Sequence, residues 1–258
     1  MNKLLEVRNI SKYFSPAGGG KVQVLENINF EIPAEESGSI ISILAQFRSG
    51  KSTLLRIIAG LEHPDEGSVI LGKNAYENDT VRIIYLPETA ASFPWLSVKQ
   101  NIEMALKLSS KQKKLSLDEI ISLVGLTGYE NYFPDNSSSG FRFRISLGRA
   151  LAADPEIILA DDCFRIMDAV TRNEIYELVK NVNRSTGKTI ILATANITEA
   201  VLLSGRILFM RKNPGRIFHH ISLKDNALKD EEYINSVRAG IEDVFKKENM
   251  LESLQLTI

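Results

Sequence analysis

The stretch ILAQFRSGKSTLLRIIAGL, residues 43–61, decides how the chain is read. An uncharged apolar run leads into a short turn ending in Gly50, Lys51, Ser52 and Thr53, and Leu54, Ile57, Ile58 and Leu61 then follow at i, i+3, i+4, i+7 spacing. That order predicts a buried strand, a tight loop and an amphipathic helix. A loop so placed forms a phosphate cradle. Successive backbone N–H groups converge at a helix N-terminus, a lysine reaches the outer phosphates, and a hydroxyl ligates magnesium. Ser49, Gly50, Lys51, Ser52 and Thr53 are therefore expected to hold a nucleotide, with Ser52 on the metal. The upper half departs from the pattern GxxxxGKS/T, because Ala45 stands at the first glycine. Arg48 puts a bulky side chain in a tight turn that calls for positive φ. GKST alone also occurs at ordinary helix starts. Its place between a buried strand and an amphipathic helix favours the phosphate reading.

The same rhythm continues along the chain. EIILA (156–160), TIILAT (189–194) and RILFM (206–210) join IISILA (40–45) as short apolar runs, the pattern of parallel strands buried on both faces. Ile175, Leu178, Val179 and Val182 form a second helical stripe. Ser116 with Glu119, Thr171 with Glu174, and Asn196 with Glu199 read as capping boxes at three helix starts. Alternating strands and helices predict a doubly wound α/β core. Two regions break the alternation. The first 35 residues, with LLEVRNI, the glycine run at 18–20 and NINFEI, read as antiparallel strands, and residues 97–153 read as an inserted helical lobe. The expected organisation is a single domain over residues 1–240 with a tail at 241–258, the chain beyond about 224 being charged and helical.

Composition narrows the function. Thirty-one Lys and Arg against 32 Asp and Glu give a net charge of -1 over 258 residues, which argues against nucleic acid or an anionic membrane as main partner. The single cysteine, Cys163, excludes an intrachain disulfide framework and suits a reducing cytoplasm. No apolar signal region opens the chain, and no uncharged run approaches the roughly 20 residues a membrane span needs. The chain is expected to be soluble.

About a hundred residues beyond the loop, IILADD places Asp161 and Asp162 at the end of a buried strand. A carboxylate there holds magnesium through water beside bound phosphates. A strand ending in polar residues is unremarkable alone. At this separation from GKST it favours a nucleoside triphosphatase. The block SSSGFRFRISLGRALAADPEIILADDCFRIMDAVTR, residues 137–172, then resembles the signature-to-D-loop block of an ABC-transporter ATPase, LSGGMRQR followed by ARALAxDPxxLLLDEPFGALDAxTR. The resemblance runs from about residue 4 to 217. FPWLSV (93–98) and NPGRI (213–217) are similar to the importer branch for nitrate, taurine, alkanesulfonate and related small anions.

This resemblance implies a P-loop NTPase core, with a RecA-like parallel sheet and helices on both faces, an N-terminal antiparallel β subdomain and an inserted helical subdomain. It implies ATP and Mg2+ as cofactors. Phe14 matches the aromatic that stacks on adenine, Lys51 the phosphate lysine, Ser52 the magnesium hydroxyl, Asp161 the magnesium-side aspartate, and Asp168 the aspartate of the loop crossing the dimer interface. Ser138 and Gly140 match the signature residues that face a partner's γ-phosphate. Departures gather where hydrolysis is done. Asp162 stands for the catalytic glutamate, one methylene shorter, and a 1 Å misplacement costs on the order of 10²-fold. Ala195 stands for the switch histidine, Glu88 for the glutamine that links magnesium to the membrane partner, Cys163 for a proline, Arg165 for a glycine, Ser139 for the middle signature glycine and Ser137 for its leucine.

The expectation is an ATP-binding subunit of a small-anion importer that hydrolyses ATP weakly or not at all. It would pair with a second, active ABC ATPase subunit and dock on membrane permease subunits, peripheral to the inner face of the cell membrane. A heterodimer is favoured because a homodimer would carry two damaged sites. A functional slow ATPase using Asp162 and a non-transport interaction or sensor protein are the alternatives. Among the remaining features, Arg142, Arg144 and Arg149 read as a solvated or packing stripe. Trp95 reads equally as core or contact, and adjacent His219 and His220 point to opposite faces of a strand, a poor metal pair.

Overall fold

The computed structural model describes residues 3–15, 19–72, 83–89, 91–108, 115–135, 137–224 and 230–247. Gly18 of the expected glycine run and residues 248–258 of the expected tail lie outside these. The chain divides into two compact units, Met1–Lys73 with Ile191–Ile258, and Asn74–Ile190.

In the first unit, β1 (Lys3–Phe14), β2 (Val22–Pro33) and β4 (Glu66–Leu71) form an antiparallel sheet in the order β2-β1-β4. Leu5, Val7 and Ile10 of β1 and Leu25, Ile28 and Ile32 of β2 are buried, so one face of the sheet carries the core. The second sheet of this unit is built on β3 (Ile40–Ala45), buried at every position. β3 pairs in parallel with β8 (Arg206–Arg211), which pairs antiparallel with β9 (Arg216–Ser222). On its other side β3 neighbours β7 (Thr189–Thr194), whose last four residues fall in this unit. The apolar runs at 40–45 and 189–194 are strands to the residue, and the run at 206–210 extends by Arg211.

α1 (Lys51–Ile58) buries Leu54, Ile57 and Ile58, as the spacing predicts. The fourth member of the stripe does not join them. The chain turns at Gly60, φ 72, so Leu61 lies past the helix and is 58 % exposed. α6 (Ile197–Leu203) and α7 (Glu231–Lys247), the helix expected beyond 224, pack on β3 and β8. Leu44, Ile197, Ala200, Val201, Ile207, Phe209, Ile241 and Phe245 make one buried cluster. The Phe245 ring lies 5.6 Å from that of Phe209.

The second unit contains β5 (Ile83–Leu86) paired in parallel with β6 (Ile157–Asp161), with Leu86 opposite Ala160. Its helices are α2 (Val98–Leu108), α3 (Leu117–Leu123), α4 (Ser139–Ala152) and α5 (Ala169–Thr186), the first three falling within residues 97–153. α3 has the predicted capping box, with Ser116 Oγ accepting from Glu119 N and the Glu119 carboxylate accepting from Ser116 N. α5 is a correction. Its N-cap is Asp168, whose carboxylate accepts from Thr171 N, so Thr171 lies inside the helix. Ile175, Leu178, Val179 and Val182 are buried as their spacing predicts, and Phe164 packs between the rings of Phe143 and Tyr176, 5.5 Å from each.

Truncating Phe245 to alanine removes a fully buried ring from the cluster under β3, and such truncations cost about 3 kcal/mol. Denaturant unfolding of Phe245→Ala should show a lowered midpoint at unchanged slope.

Candidate functional site

In the first unit the loop between β3 and α1 closes on its own lysine. Lys51 is buried, and its Nζ donates to the carbonyls of Ala45 and Gln46, each at 3.1 Å. The first turn of a helix leaves N–H groups without intrahelical acceptors, and Lys51, Ser52 and Thr53 make up that first turn of α1. Gly50 is its N-cap in the left-handed region, φ 93, and a Cβ there would come within 2.8 Å of Leu25 Cδ2. Only glycine satisfies both the torsion and the approach to β2. Gly215, in the NPGRI segment, bonds the same stretch of β2, its N–H donating to Val24 O at 2.8 Å and its carbonyl accepting from Glu26 N at 3.0 Å. Arg48 takes the positive φ expected of it, 61°, and its exposed guanidinium lies 5.9 Å from the Phe47 ring. Ser52 is exposed. Ser49 is buried, and its Oγ has no hydrogen-bond partner among the described residues. Phe14 ends β1 with 40 % of its surface exposed, and Lys12 Nζ stands 5.2 Å from its ring.

The segment after β7, also in this unit, is fully engaged. Thr194 Oγ1 accepts from Asn196 N and donates to the buried Glu199 carboxylate. Asn196 caps α6 by accepting from Thr198 N and Glu199 N. Between them Ala195 is buried and offers no side-chain donor.

The second unit holds the acidic segment. Asp161, the last residue of β6, is buried. Its Oδ2 accepts from the Tyr85 hydroxyl at 2.7 Å, and its Oδ1 has no hydrogen-bond partner among the described residues. A buried anionic oxygen left open is the chemistry a hydrated divalent cation completes, so Asp161 fits the magnesium role. Asp162 is half-buried with φ 45. Beyond it Cys163 Sγ donates to Leu86 O and Pro87 O at 3.4 and 3.6 Å, and the Arg165 guanidinium pairs with the Glu88 carboxylate. The sequence singles out Glu88, Cys163 and Arg165 only as separate departures and does not single out Tyr85. Nothing in local spacing signals these partners, which are 76 or 77 residues apart.

Ser138 is the N-cap of α4, its Oγ accepting from Phe141 N at 3.2 Å, and Ser137 Oγ donates to Pro134 O at 2.6 Å. Gly140 is buried against α5, where a Cβ would lie 2.5 Å from Thr171 Cγ2. Its lack of a side chain is needed for packing within this chain. Asp168 accepts from the Thr171 hydroxyl at 2.6 Å as well as from Thr171 N, and these bonds hold its carboxyl below the usual range. Two of the three arginines pack: Arg144 donates to Val124 O, and Arg149 lies 4.3 Å over Phe93. Trp95 is a surface residue, 69 % exposed. Among the described residues no group of three or more His, Cys, Asp or Glu side chains is arranged to hold a metal by itself, and no helix is long and apolar enough to cross a membrane.

Residues 25–165 match the model of the ABC transporter family. The chain is 37% identical over 220 residues to an aliphatic sulfonates import ATP-binding protein of Bacillus cereus, covering 85% of this chain and 86% of the relative. It is 34% identical over 216 residues to a taurine import ATP-binding protein of a Jannaschia species, covering 83% and 80%. Among solved structures it superposes, at a TM-score of 0.71 and 28% identity, on an ATP-binding cassette captured as a dimer in a post-hydrolysis state with ADP and Pi, covering 86% of this chain and 99% of that one.

Two measurements check the local geometry. A non-glycine residue in the left-handed region costs about 1 kcal/mol, so Arg48→Gly should raise unfolding stability by about that amount. The Asp168 carboxyl is depressed in the fold, so its contribution is present above the unfolded value of about 4 and lost as pH falls through the folded value. Asp168→Asn keeps a capping oxygen but does not titrate. Its melting temperature should fall less than the wild type's between about pH 5 and pH 3.

Proposed function

The chain belongs to the ABC transporter family, and from that premise we propose that it is the ATP-binding subunit of an importer for small anions such as sulfonates, taurine or nitrate, retaining nucleotide but hydrolysing it weakly or not at all. In this reading residues 1–240 make up one nucleotide-binding domain. Phe14 stacks on the base, Ser49 to Thr53 cradle the phosphates, and Ser52 and Asp161 hold magnesium. The observation that carries the reading is the contrast between a formed phosphate loop around Lys51 and a switch position reduced to Ala195. Asn196, next in sequence, does not supply the missing donor, because its side chain caps α6. Asp162 is a methylene short of the usual acid. Phosphoryl transfer depends mainly on positioning and electrostatics, so two altered positioning groups lower turnover without abolishing binding.

Subunits of this kind complete each other's sites, which is why the reading favours a second, motif-complete ATPase as partner. Ser138 supports a role towards that partner's nucleotide, standing exposed at the start of α4. The remaining partners are permease subunits on the inner face of the membrane.

Calorimetry with ATP, with and without Mg2+, and phosphate release on the same sample test the reading. The expected result is binding that Lys51→Ala weakens at least about tenfold. Phosphate release is expected to be lower on the order of 10²-fold than that of an Asp162→Glu, Ala195→His variant. Robust turnover by the native chain, abolished in Asp162→Asn, would establish a working ATPase instead. Absence of ATP binding would leave an interaction protein on this fold.

A further inference from the structure

Three side-chain links join the end of β5 and the residues after it to the end of β6 and the residues after it. Tyr85 reaches Asp161, Cys163 reaches the carbonyls of Leu86 and Pro87, and Arg165 pairs with Glu88. The positions advance in step on both segments, 85 with 161, 86 and 87 with 163, and 88 with 165. These partners lie 76 or 77 residues apart, further along the chain on the β6 side than the register of the parallel pair, in which Leu86 faces Ala160. The thiol hydrogen bonds are weak and the ion pair is partly exposed, so no single link holds the segments. Their strength lies in sequence, since each link restricts the chain available to the next.

Asp162 sits inside this ladder. Asp161 before it is held by Tyr85, Cys163 after it by two carbonyls, and its own φ is 45. A non-glycine residue keeps such a torsion only where its surroundings fix it. Three of the residues named, Glu88, Cys163 and Arg165, are also three of the positions at which the sequence departs from its family pattern. We propose that Glu88, Cys163 and Arg165 act together as positioning residues, a latch that fixes the Asp161–Asp162 turn to the segment after β5 and so presents the open Asp161 oxygen to a cation. A proline at 163 and a glycine at 165 would supply neither the thiol donor nor the guanidinium. The three departures are thus one interacting set. The cation role rests on the nucleotide reading above; the latch itself does not.

Hydrogen exchange by mass spectrometry on the full chain, followed over the peptide containing residues 85–89, reads the latch without nucleotide. Arg165→Gly and Glu88→Ala should each speed exchange there about fivefold at low salt, the range of a partly exposed ion pair, and the double variant should be no faster than either. The charge-swapped Glu88→Arg, Arg165→Glu chain should return to within about twofold of wild type. Cys163→Ala should speed exchange in the same peptide. A role in positioning Asp161 is read separately by calorimetry. In Arg165→Gly the enhancement of ATP affinity by Mg2+ should fall severalfold while Mg2+-free affinity stays unchanged, which a loss of general stability would not produce. If Arg165→Gly fails to fold, Glu88→Ala carries both readouts. Unchanged exchange in the single variants, or a swapped chain as fast as the singles, overturns the latch even if ATP binds normally. Failure to bind ATP with the exchange pattern intact overturns the nucleotide reading and leaves the latch standing.

Discussion

Lys51 is the fixed point of the first unit. Its ammonium is buried and bonded to the carbonyls of Ala45 and Gln46, so the loop between β3 and α1 is wound around a positive charge. That winding has requirements. β3 must end at Ala45, the chain must pass through the left-handed region at Arg48 and again at Gly50, and Gly50 must lie against Leu25 of β2. Each is met by residues of low steric demand except at Arg48, where the strain is accepted and the long side chain is carried out to solvent. In the proposed nucleotide role, an anion would meet the N-terminal turn of α1 in a loop that is already wound, which lowers the reorganisation that binding needs.

The second unit solves a different problem, holding a carboxylate pair at the end of a short strand. β5 has four residues and β6 five, so backbone pairing alone ends at the acids. Tyr85 within β5 bonds Asp161, and the side chains of Cys163 and Arg165 continue where the backbone stops. This explains how Asp161 remains buried with one oxygen open: the turn carrying it is held from both sides, and the cost of a half-satisfied carboxylate is borne by the links around it.

What the sequence revealed and what it hid follow from the range of the interactions. The strands at 40–45 and 189–194 were legible to the residue because continuous burial writes itself into continuous apolar runs. The phosphate loop and the helix behind it were legible for the same local reason. The start of α5 was not: Thr171 and Glu174 have capping-box spacing, but Asp168, one turn earlier, bonds Thr171 by both oxygens and takes the cap. Leu61 fitted the helical stripe and missed the helix, because a turn at Gly60 intervenes. Gly140 carried a family meaning from its motif, and the structure adds a packing one against Thr171. The Glu88–Arg165 and Cys163–Leu86 contacts were invisible, since no periodicity connects residues 77 apart.

These contacts change how the departures from the family pattern combine. Taken singly, a glutamate for glutamine, a cysteine for proline and an arginine for glycine look like independent losses. In the structure each of the three makes a bond to, or from, the end of β5 and the residues after it, and replacing Glu88 or Arg165 with its family counterpart leaves the other without its ion-pair partner. Arg165 without Glu88 is a cation beside a carboxylate turn, and Glu88 without Arg165 is an added negative charge three residues along the chain from Tyr85, which already holds an anion. Effects of residues that act as a unit are not additive. The three are therefore weighed as one interacting set, while Ala195 in the other unit is a separate change with its own consequence.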